Sequence, residues 1–87
     1  MNWRIILSNV KEARQELEQL EKTIESEDPE QIELEISLRH AYHHLNFAWN
    51  TKNIPSENYA NLTDSEFREW GRFPQGFDSL EVQGDEK

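Results

Sequence analysis

Three closely spaced histidines are the side chains best suited to bind a metal ion or transfer a proton. His40 and His44 are four residues apart, with His43 between them. Residues four apart share one face of a helix, and two histidines at this spacing can bind one zinc ion. Glu33 lies near the same face two turns earlier, so the sequence offers His40, His44 and Glu33 as a candidate metal site.

The rest of the sequence argues against a complete metal centre or an active site. The chain has no cysteine and no Glu-x-x-His pair, whereas metal centres between helices draw carboxylates and histidines from several helices. The first predicted helix could in principle contribute Glu12 or Glu16, but both lie off its apolar stripe. Glycine-rich phosphate loops and nucleophile motifs are missing. We therefore expect structural or surface histidines, no cofactor and no catalysis, with a metal-binding helical protein using His40 and His44 as the alternative.

The strongest helix signal covers residues 2–26, where apolar residues are spaced alternately three and four apart. This is the repeat of a helix that pairs with another helix. Asn2 is placed to cap the helix N-terminus. The stripe is predicted to face the next helix and consists of Trp3, Ile6, Val10, Ala13, Leu17, Leu20 and Ile24.

A second helix is predicted over residues 29–52, with Asp28 as its N-cap and Pro29 in its first turn. Only a few residues link the two predicted helices. A link this short makes the helices antiparallel neighbours, with Ala13 beside Ala41. The stripe predicted to face the first helix consists of Leu34, Leu38, Ala41, Tyr42, Leu45, Ala48 and Trp49.

The second helix carries another, largely apolar stripe on its opposite side. Its members are Ile32, Ile36, His40, His43 and Phe47. One partner helix cannot cover both sides, and an exposed apolar strip on a small protein marks a contact surface. We therefore predict an interaction surface here. It would be covered by the C-terminal segment or by a second copy of the chain, which would complete a four-helix bundle.

The C-terminal third is predicted to fold back on the hairpin. Pro55 ends the second helix, and short helical segments follow at about 56–61 and 64–71, the latter opened by a Thr63–Glu66 capping box. The segment is rich in aromatic residues, namely Tyr59, Phe67, Trp70, Phe73 and Phe77. Paired Trp3 and Trp49 side chains are predicted to form a plug at the open end of the hairpin, against which Tyr59, Phe67 or Trp70 packs. The domain would cover 1–78, and 79–87 would be a disordered acidic tail.

Composition limits the classes of function. The 87 residues are 34% hydrophobic and 31% charged, with a net charge of -9. Such a charge disfavours docking on nucleic acid through phosphate contacts. Targeting signals and membrane-spanning runs are missing, so we expect a cytoplasmic protein that does not bind membranes.

Taken together, these features predict an all-α protein built on a two-helix hairpin. Its expected role is that of a noncatalytic module that forms a homodimer or binds another protein. An acidic decoy that mimics nucleic acid is a second alternative, because the excess of acidic side chains would suit a basic cleft.

Overall fold

The computed structural model describes residues 1–74, which form four helices. They are α1 (Trp3–Ser26), α2 (Gln31–Asn50), α3 (Ser56–Ala60) and α4 (Asp64–Trp70). The prediction of an all-α chain with two long packed helices is confirmed. The predicted tail at 79–87 and the end of the predicted domain at 75–78, including Phe77, lie outside the described residues.

The N-terminus of α1 is fixed by Asn2, as predicted. Its side-chain oxygen accepts a hydrogen bond from the Ile5 backbone N–H at 3.3 Å. Its side-chain nitrogen donates to the Ile54 carbonyl at 2.8 Å, and its backbone N–H donates to the Lys52 carbonyl. Asn2 therefore caps α1 and also joins it to the chain that follows α2.

The start of α2 differs from the prediction by two residues. The helix begins at Gln31 with Glu30 as its N-cap, not at Pro29 with Asp28 as its N-cap. The Glu33 carboxylate accepts a hydrogen bond from the Glu30 backbone N–H at 2.8 Å. This bond satisfies a donor at the helix N-terminus and stabilises the later start.

The two long helices pack antiparallel along their length. The Asn2 N–H meets the Lys52 carbonyl at the open end, and Glu16 meets His40 in the middle of the hairpin. Ala13 and Ala41, which the sequence placed side by side, are 3% and 4% exposed. The short link between the helices therefore makes α1 and α2 antiparallel neighbours, as predicted.

The rotations of both long helices about their own axes differ from the prediction. On α2, only Ala41 of the stripe predicted to face α1 is buried. On α1, only Ala13 and Leu20 of the predicted stripe are buried, whereas Val10 and Leu17 are 45% and 44% exposed. Trp3 and Ile24 are also exposed. The other positions buried on α1 are Ile5 and Asn9. The helix is turned because the Asn9 amide makes hydrogen bonds across the hairpin, and burying it requires those bonds.

The C-terminal segment packs on Phe47, which is only 2% exposed. The ring centroids of Phe67, Tyr59 and Trp70 lie 5.4, 6.2 and 6.3 Å from that of Phe47. These three rings were expected at Trp3 and Trp49, at the open end of the hairpin. They lie instead on the opposite side of α2, because Phe47 belongs to its second apolar stripe.

Two asparagines on α2 bind the C-terminal end of α4. Asn46 donates to the Gly71 carbonyl at 2.9 Å, and Asn50 donates to the Trp70 and Arg72 carbonyls at 2.7 and 2.8 Å. The last carbonyls of a helix have no partner within the helix. The spacing of four residues places both amides on one face of α2, where they satisfy these carbonyls and orient α4.

Replacing Asn50 should therefore loosen α4. We expect Asn50→Ala to lower the free energy of unfolding by about 1 to 2 kcal/mol, because two carbonyls lose their donor. Urea denaturation followed by circular dichroism measures the change. Asn58→Ala is the control, since Asn58 is exposed and its substitution should stay within about 0.5 kcal/mol. Equal effects of the two variants would contradict a role for Asn50 in docking α4.

Candidate functional site

The two long helices leave one continuous apolar surface, which we call the hairpin face. A groove of about 730 Å³ runs along it, and a second depression adjoins it at Leu17 and Leu45. The hairpin face consists of Trp3, Ile6, Val10 and Leu17 from α1 and Leu38, Tyr42, Leu45 and Trp49 from α2.

The rest of residues 1–74 covers only about half of these side chains. Leu38, Tyr42 and Leu45 are 47%, 45% and 51% exposed, and Trp3 is 66% exposed. Taking about 150 to 250 Å² for a fully exposed large side chain, the face presents roughly 700 Å². The largest apolar patch on a typical monomer is about 300 to 600 Å². The hairpin face is therefore large for a chain of this size.

The opposite edge of the α1–α2 contact is polar, and we call it the polar edge. Glu16 Oε2 lies 3.3 Å from His40 Nδ1, and Glu12 Oε1 lies 3.9 Å from His44 Nε2. Asn9, buried at 2% exposure, completes the polar edge. The sequence placed Glu12 and Glu16 beside the apolar stripe, and the rotation of α1 brings them opposite the two histidines.

Hydrogen bonds fix the tautomer of His44. Asn9 Nδ2 donates to the Ile5 carbonyl at 3.1 Å and lies 3.2 Å from the Tyr59 hydroxyl. A carbonyl only accepts, so the nitrogen of the Asn9 amide must point to Ile5 and its oxygen must point to His44. His44 Nδ1, at 3.0 Å from that oxygen, must therefore carry a hydrogen. In the neutral ring, Nε2 then carries no hydrogen, and it lies 3.9 Å from Glu12 Oε1.

His43 has a different environment from its two neighbours. Its ring centroid lies 4.3 Å from that of Phe47 and 4.9 Å from that of Phe67, on the side where α4 packs. Burial lowers the pKa of His43 below its ordinary value, and the nearby His44 and His40 lower this pKa further. His43 is therefore a neutral member of the aromatic cluster around Phe47.

The predicted metal site does not assemble with Glu33. The Glu33 carboxylate is engaged by the Glu30 backbone N–H at the N-terminus of α2, whereas His40 and His44 lie beside carboxylates of α1. Within residues 1–74, no group of three or more histidine, aspartate or glutamate side chains is arranged to hold a metal ion. Sequence reasoning considered Glu12 and Glu16 but set them aside because they lie off the predicted stripe. It missed the role of Asn9, for which the signal was a polar residue one helical turn before Ala13.

The predicted interaction surface is divided in the structure. Ile32 and Ile36 are 55% and 51% exposed, and the His40 side chain is 60% exposed. Phe47, by contrast, is covered by the chain's own aromatic segment, which also contacts His43. Binding of a partner to the exposed part stays a prediction.

No family model matches this chain, and neither a curated protein nor a solved structure matches it. In the part of the chain from residue 1 to 74, no helix combines the length and the apolar character needed to cross a bilayer.

The hydrogen bonds around Asn9 predict which nitrogen of His44 is protonated. At pH 8, long-range ¹H–¹⁵N spectra should show a protonated Nδ1 and an unprotonated Nε2 for His44. The reason is that the Asn9 amide presents an oxygen to Nδ1. An unprotonated Nδ1 at this pH would mean that the Asn9–His44 bond is absent in solution.

The buried position of His43 predicts a loss of stability in mild acid. Its folded-state pKa lies below the unfolded value of 6.5, so its contribution to stability is complete above pH 6.5. That contribution decreases as the pH falls from 6.5 towards the lower folded-state pKa. Thermal unfolding between pH 7.5 and 5, in buffer containing a chelator, measures this decrease.

His43→Phe separates this effect from those of the other histidines. It keeps a ring between Phe47 and Phe67 but removes the titration, while His40 and His44 still face Glu16 and Glu12 and Arg39 still lines the neighbouring cavity. We expect the variant to lose less stability in acid than the wild type. Identical pH profiles would show that His43 is not the group responsible.

Proposed function

We propose that the protein is a noncatalytic interaction module that self-associates through the hairpin face, with two copies forming a four-helix bundle. The observation that carries this proposal is the half-exposure of one continuous apolar surface to which both long helices contribute. Residues spaced alternately three and four apart point towards the axis of a bundle, where the neighbouring helix covers only part of each side chain. A second hairpin would cover the remainder.

The small size of the internal core supports this proposal. The apolar residues buried among those described are Ile5, Ala13, Leu20, Ala41 and Phe47. Two of these five are alanines, and small cores of this kind depend on additional stabilisation, such as disulfides, metals or association. Because the chain has no cysteine, disulfides are excluded. Association through the hairpin face would supply the missing apolar burial.

The size of the hairpin face agrees with this role. Its exposed area of roughly 700 Å² is close to the roughly 800 Å² that each partner contributes to a standard stable interface. At one end the depression is lined by Arg14, Glu18 and Glu21, which carry both signs of charge. In a two-fold dimer each patch meets its own copy, so Arg14 of one chain could pair with an acidic residue of the other.

The net charge of -9 determines how the affinity of the proposed dimer should depend on salt. Two copies repel each other overall, while the hairpin face that joins them is mostly apolar. Salt screens the repulsion and leaves the apolar contact intact, so the dimer should tighten as the ionic strength rises. A decoy that binds a basic partner would behave in the opposite way, because salt weakens the attraction of opposite charges.

Leu45→Asp is the sharpest test of the hairpin face. Leu45 is already about half covered, so burial of its exposed half contributes about 0.8 to 1.5 kcal/mol. A two-fold interface would lose two such contributions and would bury two carboxylates in addition. We therefore expect the dissociation constant of the dimer to rise by about 100-fold or more, at 1.4 kcal/mol for each factor of ten. Sedimentation equilibrium over a range of concentrations measures it, and circular dichroism verifies that the helices persist.

Ile36→Asp is a matched control. Ile36 and Leu45 are each 51% exposed on the same helix, and nine residues place them on opposite sides of it. The proposal requires that Ile36→Asp leave the dimer intact. If Ile36→Asp dissociated the dimer and Leu45→Asp did not, the interface would be the stripe containing Ile32 and Ile36. A wild-type chain that stayed monomeric at all concentrations would overturn self-association.

A further inference from the structure

We propose that two copies meet on the hairpin face in antiparallel orientation, with Lys52 of each copy against Glu18 of the other. This orientation rests on the proposed self-association and specifies which ends of the two hairpins lie together. A two-fold dimer of hairpins is either parallel, with both open ends on the same side, or antiparallel, with each open end against the middle of the other hairpin. The charged side chains of the hairpin face distinguish the two arrangements.

Val10 marks the centre of the hairpin face along α1. On this helix the face extends from Trp3 to Leu17, seven residues to either side of Val10. The two-fold axis of an antiparallel dimer has to pass near this centre, since only then does each copy cover the whole face of the other. Trp3 of one copy would then lie against Leu17 of the other.

Opposite charges lie at equal distances on the two sides of this centre. The Asn2 backbone N–H donates to the Lys52 carbonyl, which places Lys52 level with Asn2, eight residues before Val10. Glu18 follows Val10 by eight residues and lines the depression at Leu17. At a rise of about 1.5 Å per residue, each charge lies about 12 Å from the axis along the hairpin. The two-fold rotation therefore brings Lys52 of one copy level with Glu18 of the other.

The ammonium group of Lys52 is held on the hairpin face. Its Nζ lies 4.0 Å from the centroid of the Trp49 ring and donates to the Trp49 carbonyl at 3.3 Å. Lys52 and Trp49 both line the groove of the hairpin face. Within residues 1–74, neither Lys52 nor Glu18 forms a salt bridge. Both charges can therefore pair with those of a second copy.

A parallel arrangement would bring like charges together. Residues at the same level would meet, so Lys52 would face Lys52 and Glu21 would face Glu21. Arg14 could then pair with Glu18 of the other copy, but it would offset only part of the repulsion. Like charges that face each other across an interface reduce affinity and exclude the wrong arrangement. The charges of the hairpin face therefore favour the antiparallel dimer.

Charge reversal tests the contact between Lys52 and Glu18. We expect Lys52→Glu to raise the dissociation constant of the dimer by about 10-fold, because two attractive contacts become repulsive. Arg68→Glu is the control, since it changes the net charge equally but lies exposed on α4, on the opposite side of α2. Adding Glu18→Lys to Lys52→Glu should restore the affinity to within about threefold of the wild type. Sedimentation equilibrium measures all four chains, and no recovery in the double variant would overturn the pairing.

Disulfide trapping tests the orientation directly, because the chain has no cysteine of its own. Lys52→Cys and Glu18→Cys are purified separately, mixed in equal amounts and oxidised mildly at a concentration that gives dimers. A disulfide requires Cα atoms within about 7 Å of each other, whereas two copies of either position would lie about 24 Å apart along an antiparallel dimer. We therefore expect a disulfide between the two different variants and none within either variant alone. Mass spectrometry of a tryptic digest identifies the joined positions.

Ile36→Cys is the matched control for trapping, because Ile36 is 51% exposed on the opposite side of α2 and should join neither variant. Disulfides within Lys52→Cys alone or within Glu18→Cys alone would show a parallel dimer and overturn the orientation. A dimer in which no combination forms a disulfide would overturn it as well. Sedimentation of the wild type separates these results from a failure of the proposed function, which a monomer at all concentrations would show.

Discussion

The buried amide of Asn9 is the constraint on which the arrangement of the hairpin depends. A polar side chain that is 2% exposed needs partners for both its donor and its acceptor, and it finds them in Ile5, Tyr59 and His44. These partners belong to α1, α3 and α2. The hydrogen bonds between Asn9 and these partners fix the rotation of α1 and also bring α3 against the hairpin.

The rotation set by Asn9 gives the hairpin two unlike edges. One edge carries Glu12 and Glu16 opposite His40 and His44, where charge and imidazole chemistry are concentrated. The other edge is the hairpin face, which is apolar and half exposed. A hairpin with its apolar stripes facing each other directly would have had neither feature. The proposal of self-association therefore rests on this rotation, which leaves the apolar side chains of both helices on one exposed face.

Local features of the chain could be predicted because they depend on residues near in sequence. The Thr63–Glu66 capping box is present, with Thr63 Oγ1 accepting from the Glu66 N–H and Glu66 accepting from the Thr63 N–H. The start of α2 was placed two residues early, because Asp28 and Pro29 suggested one capping pattern while Glu30 and Glu33 formed another. Competing caps differ by only about a kilocalorie per mole, which sequence inspection cannot resolve.

The sequence by itself determined that two long antiparallel helices form and how they are aligned, since periodicity and a short link suffice for both. Only the tertiary structure decided which sides of the helices meet. That choice balances apolar burial against the hydrogen bonds of one amide, and the deciding partners, Tyr59 and His44, lie 50 and 35 residues away from Asn9. The position of α4 was decided in the same way, by bonds from Asn46 and Asn50 to carbonyls of Trp70, Gly71 and Arg72.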